Sequence, residues 1–486
     1  MKKMRWSLAL LFSAGFVFAS CLKDESRDIT YYDDTAITSF TLGTLTQRVD
    51  STTKKGDKDS VYYKKIDGKS YVFYIDQVNK RVYNPDSLPY GIDAKKIVGT
   101  FSTKNSGVVT LKSLVSDSTF FYNNGQDSVD FTSERTLVVY SNSQKYSQKY
   151  VMDVRVHKQK PNDFKWNEVA TVPAFAALHG LRAVNAGSSM MVWGYNGSTT
   201  VVYTSPIANG KTWTAVSPTF APDANAWKNA VAFNGVAYVM SGNKVWQTTN
   251  GTSWTDFGVS AAGMSQLLGA SNAGLHLLGA NGKLYLAKAG ATLPEEEILA
   301  SATAYLPQQD FNVAVWKHSA SDNTEQVLLL GNRSLATSAT DAAPVVWGKV
   351  YEYGLTNSTQ KWTYYNSLQA ENALPRMANL QVVRHGAVLL AVGGAGMGAS
   401  SNVQALKNIY VSQDGGLSWK LNRIYSLPQN AENNVTTFAL GTDTNNYLWL
   451  VCAGSGKVWR VRKNSVGWTN KKIAAKARLN QRANPR

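Results

Sequence analysis

Six times after residue 160 the chain repeats one pattern: an apolar strand ending in glycine, a strand with a central aromatic, a tight polar turn and then tryptophan. The copies read TTVVYTSPIANGKTW, NKVWQTTNGTSW, GKLYLAKAG, GKVYEYGLTNSTQKW, KNIYVSQDGGLSW and GKVWRVRKNSVGW. Their aromatics are Tyr203, Trp246, Tyr285, Tyr351, Tyr410 and Trp459, and in five copies a tryptophan follows eight to eleven residues later, at Trp213, Trp254, Trp362, Trp419 and Trp468. A partner strand lies ahead of each aromatic, as in MMVWGYNG, and a further strand precedes that, as in LRAVNAG and LQVVRHG. One such unit cannot bury its own apolar face, so neighbours must stack. Four strands per unit, at a spacing of roughly 40 to 65 residues, predict an all-β fold containing a six-bladed β-propeller. Trp166 lacks an upstream partner strand and marks a strand that closes the ring; a degenerate seventh blade is the alternative.

Ahead of the repeats the composition changes. Residues 31–160 hold short alternating runs such as SYVFYID and RTLVVYS between Gly, Asn, Asp and Ser turns, which predicts a small antiparallel β-sandwich. The propeller is then expected over residues 161–474, with a basic C-terminal tail at 475–486. The first of these domains resembles the immunoglobulin-like spacers that follow lipidation sites in Bacteroidota surface proteins. Within it, Asp-Ser/Thr-apolar triplets beginning at Asp34, Asp50, Asp59, Asp86, Asp117 and Asp127 resemble the O-glycosylation sequon of Bacteroides-like bacteria.

The chain opens MKKMRWSLALLFSAGFVFASC, a basic start and an apolar run too short to span a bilayer, as in a secretion signal over residues 1–20. Phe18-Ala19-Ser20-Cys21 resembles a lipobox, which implies acylation at Cys21 and a lipid-anchored tether over 21–30. The following Lys23, Asp24 and Glu25 resemble the signal that sends Bacteroidota lipoproteins to the outer leaflet of the outer membrane, so the resemblance implies surface display. With Cys21 acylated, Cys452 in YLWLVCAG has no partner for a disulfide and reads as a small buried hydrophobe.

The formal charge of +17 is unevenly placed: after Asp443 there are no acids, while ten Lys and Arg follow. Behind a lipoprotein leader the nearer polyanions are lipopolysaccharide and acidic glycans, so nucleic acid is not expected as a partner.

Ser412, Asp414, Gly416, Ser418 and Trp419 in SQDGGLSW resemble the Asp box of sialidases and other propeller glycosidases. That resemblance implies a hairpin turn between the third and fourth strands of a blade. NGKTW and NGTSW are shortened copies with Asn209 and Asn250 in the Asp position, and a motif that recurs in worn form across blades serves architecture. AVGGAG, 391–396, resembles the kelch double glycine. A sialidase would need three arginines on the substrate carboxylate and a Tyr-Glu pair, whereas the one dense acidic run here is Glu295-Glu296-Glu297. The histidines 157, 179, 276, 318 and 385 stand singly, without metal-ligand spacing. No catalytic residue, metal or cofactor is assigned, and the chain is not expected to be an enzyme.

Binding fits better. The loops entering each innermost strand carry His179, Trp227, Lys228, Gln266, Asp310, Arg376 and Glu432, expected to ring the channel mouth and hold a glycan or protein ligand. Long segments at 287–310 and 318–347 are expected to extend that surface around blades 3 and 4. The alternatives are a glycoside hydrolase or lyase-like propeller and a scaffold subunit of an outer-membrane complex. As a whole the chain resembles Bacteroidota surface lipoproteins with an immunoglobulin-like domain and a kelch- or Asp-box-type propeller, anchored to the membrane by lipid and monomeric.

Overall fold

The structure is a computed structural model that describes residues 30–52, 59–317, 323–353, 360–429 and 435–468. The leader with Cys21, Lys23, Asp24 and Glu25, the basic tail and Glu432 lie outside the described residues. The chain divides into two compact units, with the boundary between Lys158 and Gln159.

In the first unit, two sheets share one core. The smaller consists of Ile37–Leu42, Ile97–Thr103 and Ser128–Val129; the larger runs, in spatial order, Tyr74–Asp76, Arg81–Tyr83, Ser147–Asp153, Arg135–Tyr140, Val108–Lys112 and Thr119–Phe121. One pair in the larger sheet, Arg81–Tyr83 with Ser147–Asp153, is parallel. Period-two alternation, shifted by one residue at a bulge between Ile37 and Ser39, aims Ile37, Phe40, Ile97 and Phe101 from one sheet at Val82, Leu111, Leu137 and Met152 from the other. A separate two-stranded hairpin pairs Thr44–Thr52 with Asp59–Asp67. The sequon hydroxyl residues Thr35, Ser51, Ser60, Ser87, Ser118 and Ser128 all retain some exposure.

The second unit is the repeat region. Its inner strands are Gly180–Ala186, Ala230–Phe233, Met264–Ser271, Gln309–Lys317, Gln381–His385 and Phe438–Thr442, which define blades 1 to 6. Each begins a four-stranded antiparallel sheet, so the described residues form six blades and not seven. The aromatics Tyr203, Trp246, Tyr285, Tyr351, Tyr410 and Trp459 all fall in third strands. The sixth blade takes its outer strand from the start of the unit, where Asn167–Thr171 pairs with Lys457–Val461, fastening the two ends of the ring together.

That closure reassigns one repeat tryptophan. Trp213, Trp254, Trp362 and Trp419 each immediately precede an outer strand, and the residue in that position for blade 6 is Trp166, one step before Asn167. Trp468 follows a short 3₁₀ turn after the last strand and precedes no outer strand among the described residues. The tryptophans wedge between blades: Trp254 meets Trp193 edge-on at 5.4 Å, and Trp213 meets Phe175 at 5.2 Å and Trp449 at 6.3 Å. Each ring of this size buries a large apolar area, on the order of 150–250 Å². Cys452 is buried in the second strand of blade 6, outside any disulfide.

The two long segments resolve differently from the sequence expectation. The stretch 318–347 contains a regular blade strand, Thr324–Asn332, so the added chain there is only 333–344. The stretch 287–310 contains the short outer strand of blade 3, Glu295–Glu296, and a 3₁₀ turn at Thr303–Tyr305.

Candidate functional site

The inner strands converge so closely at the axis that Gly441 is required where blade 6 meets blade 1: a Cβ there would stand 2.7 Å from the Ala183 carbonyl oxygen. Below this approach the strands enclose a central cavity of about 500 Å³. Its walls are residues 182–185, 230–234, 268–270, 311–315, 381–384 and 440–442, joined by Gly386 and Asn446. These are the middle and end of the inner strands plus the turns that follow them, so Asn234, Gly386 and Asn446 mark the rim.

Arg182 sets the character of this space. It sits opposite Trp193 in the blade 1 ladder, and its Nη2 donates to the Phe311 carbonyl oxygen at 3.4 Å, the one hydrogen bond of this guanidinium among the described residues. Enclosure pulls its pKa down from the usual arginine value, while the charge of Asp310 opposes the shift. Burial correspondingly pushes the Asp310 carboxyl up, against a hydrogen bond from Asn332 at 2.8 Å and the Arg182 charge. Arg384 stands at the rim; its Nε and Nη1 donate to the carbonyl oxygens of Gly386 and Val315, each at 2.9 Å. The described lining contains no Asp or Glu. Its buried amides are already engaged: Asn312 donates to the carbonyls of Asp310 and Leu380 and accepts from the Val382 amide, tying blade 4 to blade 5. A guanidinium held in a narrow channel with most of its five donors open is a receptor for an oxyanion.

None of the described residues expected at the mouth lines this cavity. They lie toward the opposite end of the inner strands, and most are occupied there. Trp227 stacks on Tyr195 with ring centroids 6.5 Å apart, and the Lys228 ammonium lies over Trp227. Gln266 lies within an inner strand and not before it, and its Nε2 donates to the Lys228 carbonyl at 2.8 Å. Asp310 is likewise inside its strand, at a bulge with φ of 54°. His179 is exposed, its amide bonded to the Tyr195 carbonyl.

Arg376 is a plain correction. Its side chain is 0% exposed. Nη1 donates to the Ser338 carbonyl and Nη2 to the Arg333 carbonyl, both at 2.6 Å. It pins down the added chain of blade 4, which the Arg333–Asp341 ion pair also braces, and has no face for a ligand.

The Ser412–Trp419 turn is closed by its own side chains. Ser412 Oγ donates to Asp414 at 2.8 Å and accepts from the Gly416 amide at 2.9 Å; Asp414 accepts from the Ser418 amide and hydroxyl; Trp419 Nε1 donates to the Gly416 carbonyl. Despite the cost of partial burial, these donors hold the Asp414 carboxyl below the usual range. The worn copies repeat the scheme: Asn250 accepts from the Thr252 and Ser253 amides, and Trp213 Nε1 donates to the Gly210 carbonyl. Ser412→Ala strands a buried amide and is expected to cost about 1–3 kcal/mol. Thermal melting should show a lowered midpoint for Ser412→Ala and none for Gln413→Ala.

The acidic run is structural too. Glu295 and Glu296 pair with Lys288 and Lys283 at the surface, while Glu297 is buried against Lys349, Tyr351 and the Trp362 indole N–H. Glu325 is buried against the Asn272 amide and the Tyr353 hydroxyl. Among the described residues no cluster of His, Cys, Asp and Glu has the makings of a metal site.

Arg182 and Arg384 both lie in strands whose signal was visible, LRAVNAG and LQVVRHG. A single cation within an otherwise apolar innermost strand is the mark that singles them out.

Six four-stranded blades around an arginine-bearing channel define a closed β-propeller protein with a separate β-sandwich ahead of it. Sequence comparison gives the family: residues 160–471 match the DUF6242 beta propeller domain and residues 40–154 the DUF6242 N-terminal domain, and the chain belongs to that family. No curated protein matches it. Among solved structures it is similar to a protein of unknown function from Bacteroides thetaiotaomicron, at 10% identity and TM-score 0.38, over 76% of this chain and 94% of that one. It is also similar to a gluconolactonase from Xanthomonas campestris, at 9% identity and TM-score 0.35, over 62% and 95% of the two chains. A carbohydrate-active enzyme of family AA12 from Trichoderma reesei shares 10% identity at TM-score 0.34, over 62% and 95%.

Proposed function

We propose that this protein is a surface-displayed outer-membrane lipoprotein, acylated at Cys21, whose propeller captures an acidic glycan in the central channel without cleaving it. The observation that carries the capture reading is Arg182, a cation enclosed in a cavity whose described lining has no carboxylate. An ion pair formed there is screened less than one at the surface, so a carboxylate or sulfate gains more from it. The rim residues Asn234, Thr442 and Asn446 suit a hydroxyl-rich ligand, since amide and hydroxyl groups can both donate and accept. Hydrolysis of a glycosidic bond by the usual route needs two carboxyl groups flanking it, and the described lining supplies neither. The membrane reading rests on the leader alone; among the described residues no helix is long and apolar enough to cross a bilayer.

The test uses matched probes on the full chain: hexagalacturonate, its neutral methyl ester and a chondroitin sulfate hexasaccharide, measured by calorimetry. The acidic sugars are expected to bind, to weaken as sodium chloride is raised, and to be recovered intact. Equal binding of the ester, no saturable binding of either acid, or shortened products would each sink the proposal.

A further inference from the structure

On the same face as the channel rim, a second hollow of about 660 Å³ lies between blades 4 and 5. Its walls include Trp316 from the end of the blade 4 inner strand, Gln326 from the next strand, and Gln413 and Gly415 from the Ser412–Trp419 turn. Arg384 lines both this groove and the channel, so the two form one continuous surface.

We infer that the groove is a second subsite, holding a further sugar ring of the same acidic oligosaccharide whose charged group enters the channel. This rests on the channel reading above and adds the length and direction of the ligand. Trp316 is half-buried, and its indole N–H makes no hydrogen bond to any described residue. It lies against Gly415, where a Cβ would stand 3.2 Å from the ring and where φ is +76°, a conformation side chains rarely adopt. The backbone of the Asp-box turn therefore serves as a backing plate, and the rest of the indole forms an apolar wall for the C–H face of a pyranose. Gln326 donates to the Tyr365 hydroxyl at 3.1 Å, which leaves its side-chain carbonyl for a sugar hydroxyl, and the Gln413 amide is exposed. Asp414 also lines the groove, its oxygens accepting from Ser412 and Ser418, so the ring seated there meets that carboxylate with hydroxyls and keeps its own charged group turned away. The turn that resembles a glycosidase signature thus shapes a binding groove with its backbone.

Titration of the full chain with digalacturonate and hexagalacturonate separates the two readings. The hexamer is expected to bind about tenfold or more tightly than the dimer, beyond the statistical gain from its extra registers. Trp316→Ala should leave the hexamer only its statistical advantage over the dimer and leave the dimer unchanged, while Trp316→Phe keeps most of the difference. Equal affinities for the two lengths, or a Trp316→Ala loss shared by both, would overturn the groove while leaving the channel standing. Failure of the dimer and the hexamer alike would overturn both.

Discussion

Arg182→Gln is expected to weaken hexagalacturonate binding by roughly 30-fold or more, on the order of 2 kcal/mol or above, the usual loss when one partner of an enclosed charge pair is truncated. The substitution keeps a polar side chain of moderate length in the channel but removes the charge and the forked donors. Arg182→Lys should fall between the two, because an ammonium offers a point charge without the planar fork that matches a carboxylate. Folding should change little. The guanidinium makes one long hydrogen bond, to Phe311, and its enclosure already opposes the charged form, so its loss leaves no network broken. The exposed cost falls on Asp310, which loses a favourable charge while keeping its bond from Asn332. Calorimetric affinity and melting temperature, read together, decide the matter. A 30-fold loss with a melting point within a few degrees of the parent supports a ligand contact, and undiminished binding would show that the anion sits elsewhere.

How far the sequence reaches can be argued from particular residues. Blade number and strand order were legible because an aromatic in each third strand and a glycine at or near the end of each second strand follow from packing that every blade must repeat. The closing strand was legible from Trp166, yet Trp468 was assigned to a copy it does not serve, since an outer strand borrowed from the other end of the repeat leaves a local sequence match without its usual place. The described residues expected at the mouth lie off the lining of the channel cavity. Polar residues in entry loops are equally consistent with a mouth and with a cap, and only three-dimensional packing shows Trp227 on Tyr195, Gln266 on the Lys228 carbonyl, and Arg376 sealed by carbonyl oxygens. Arginines within the inner strands carry a more local signal, because Arg182 and Arg384 both line the channel from their own strands.

Acidification should destabilise the propeller well before its carboxylates are neutralised, through two buried histidines. His276 is 3% exposed, with Nε2 2.9 Å from the Ser271 hydroxyl and the Trp362 ring edge-on at 5.8 Å. Burial, reinforced by the nearby Lys349 charge, lowers its pKa to about 3. His385 is 1% exposed between Phe164 and Tyr425, and its Nε2 accepts the Lys463 backbone N–H at 3.3 Å, a bond that a proton on that nitrogen abolishes. Burial and the charges of Lys463 and Arg462 lower it to about 4. An unfolded chain takes up these protons near pH 6.5, the folded chain only below 4, so in that window the unfolded state binds more protons and stability falls as pH drops. Each histidine contributes on the order of 3 kcal/mol across the window. Asp414 and Asp256, both held low, add to the loss at the acidic end, whereas Asp310, held high by burial, recovers a little. Melting of the full chain should therefore drop by roughly 10 °C or more between pH 7 and 4.5. His385→Gln, which keeps an acceptor near the Nε2 position, should remove about half of that drop. A melting temperature that stays flat from pH 7 to 5, or a His385→Gln variant as acid-sensitive as the parent, would show that neither ring is held neutral by its burial.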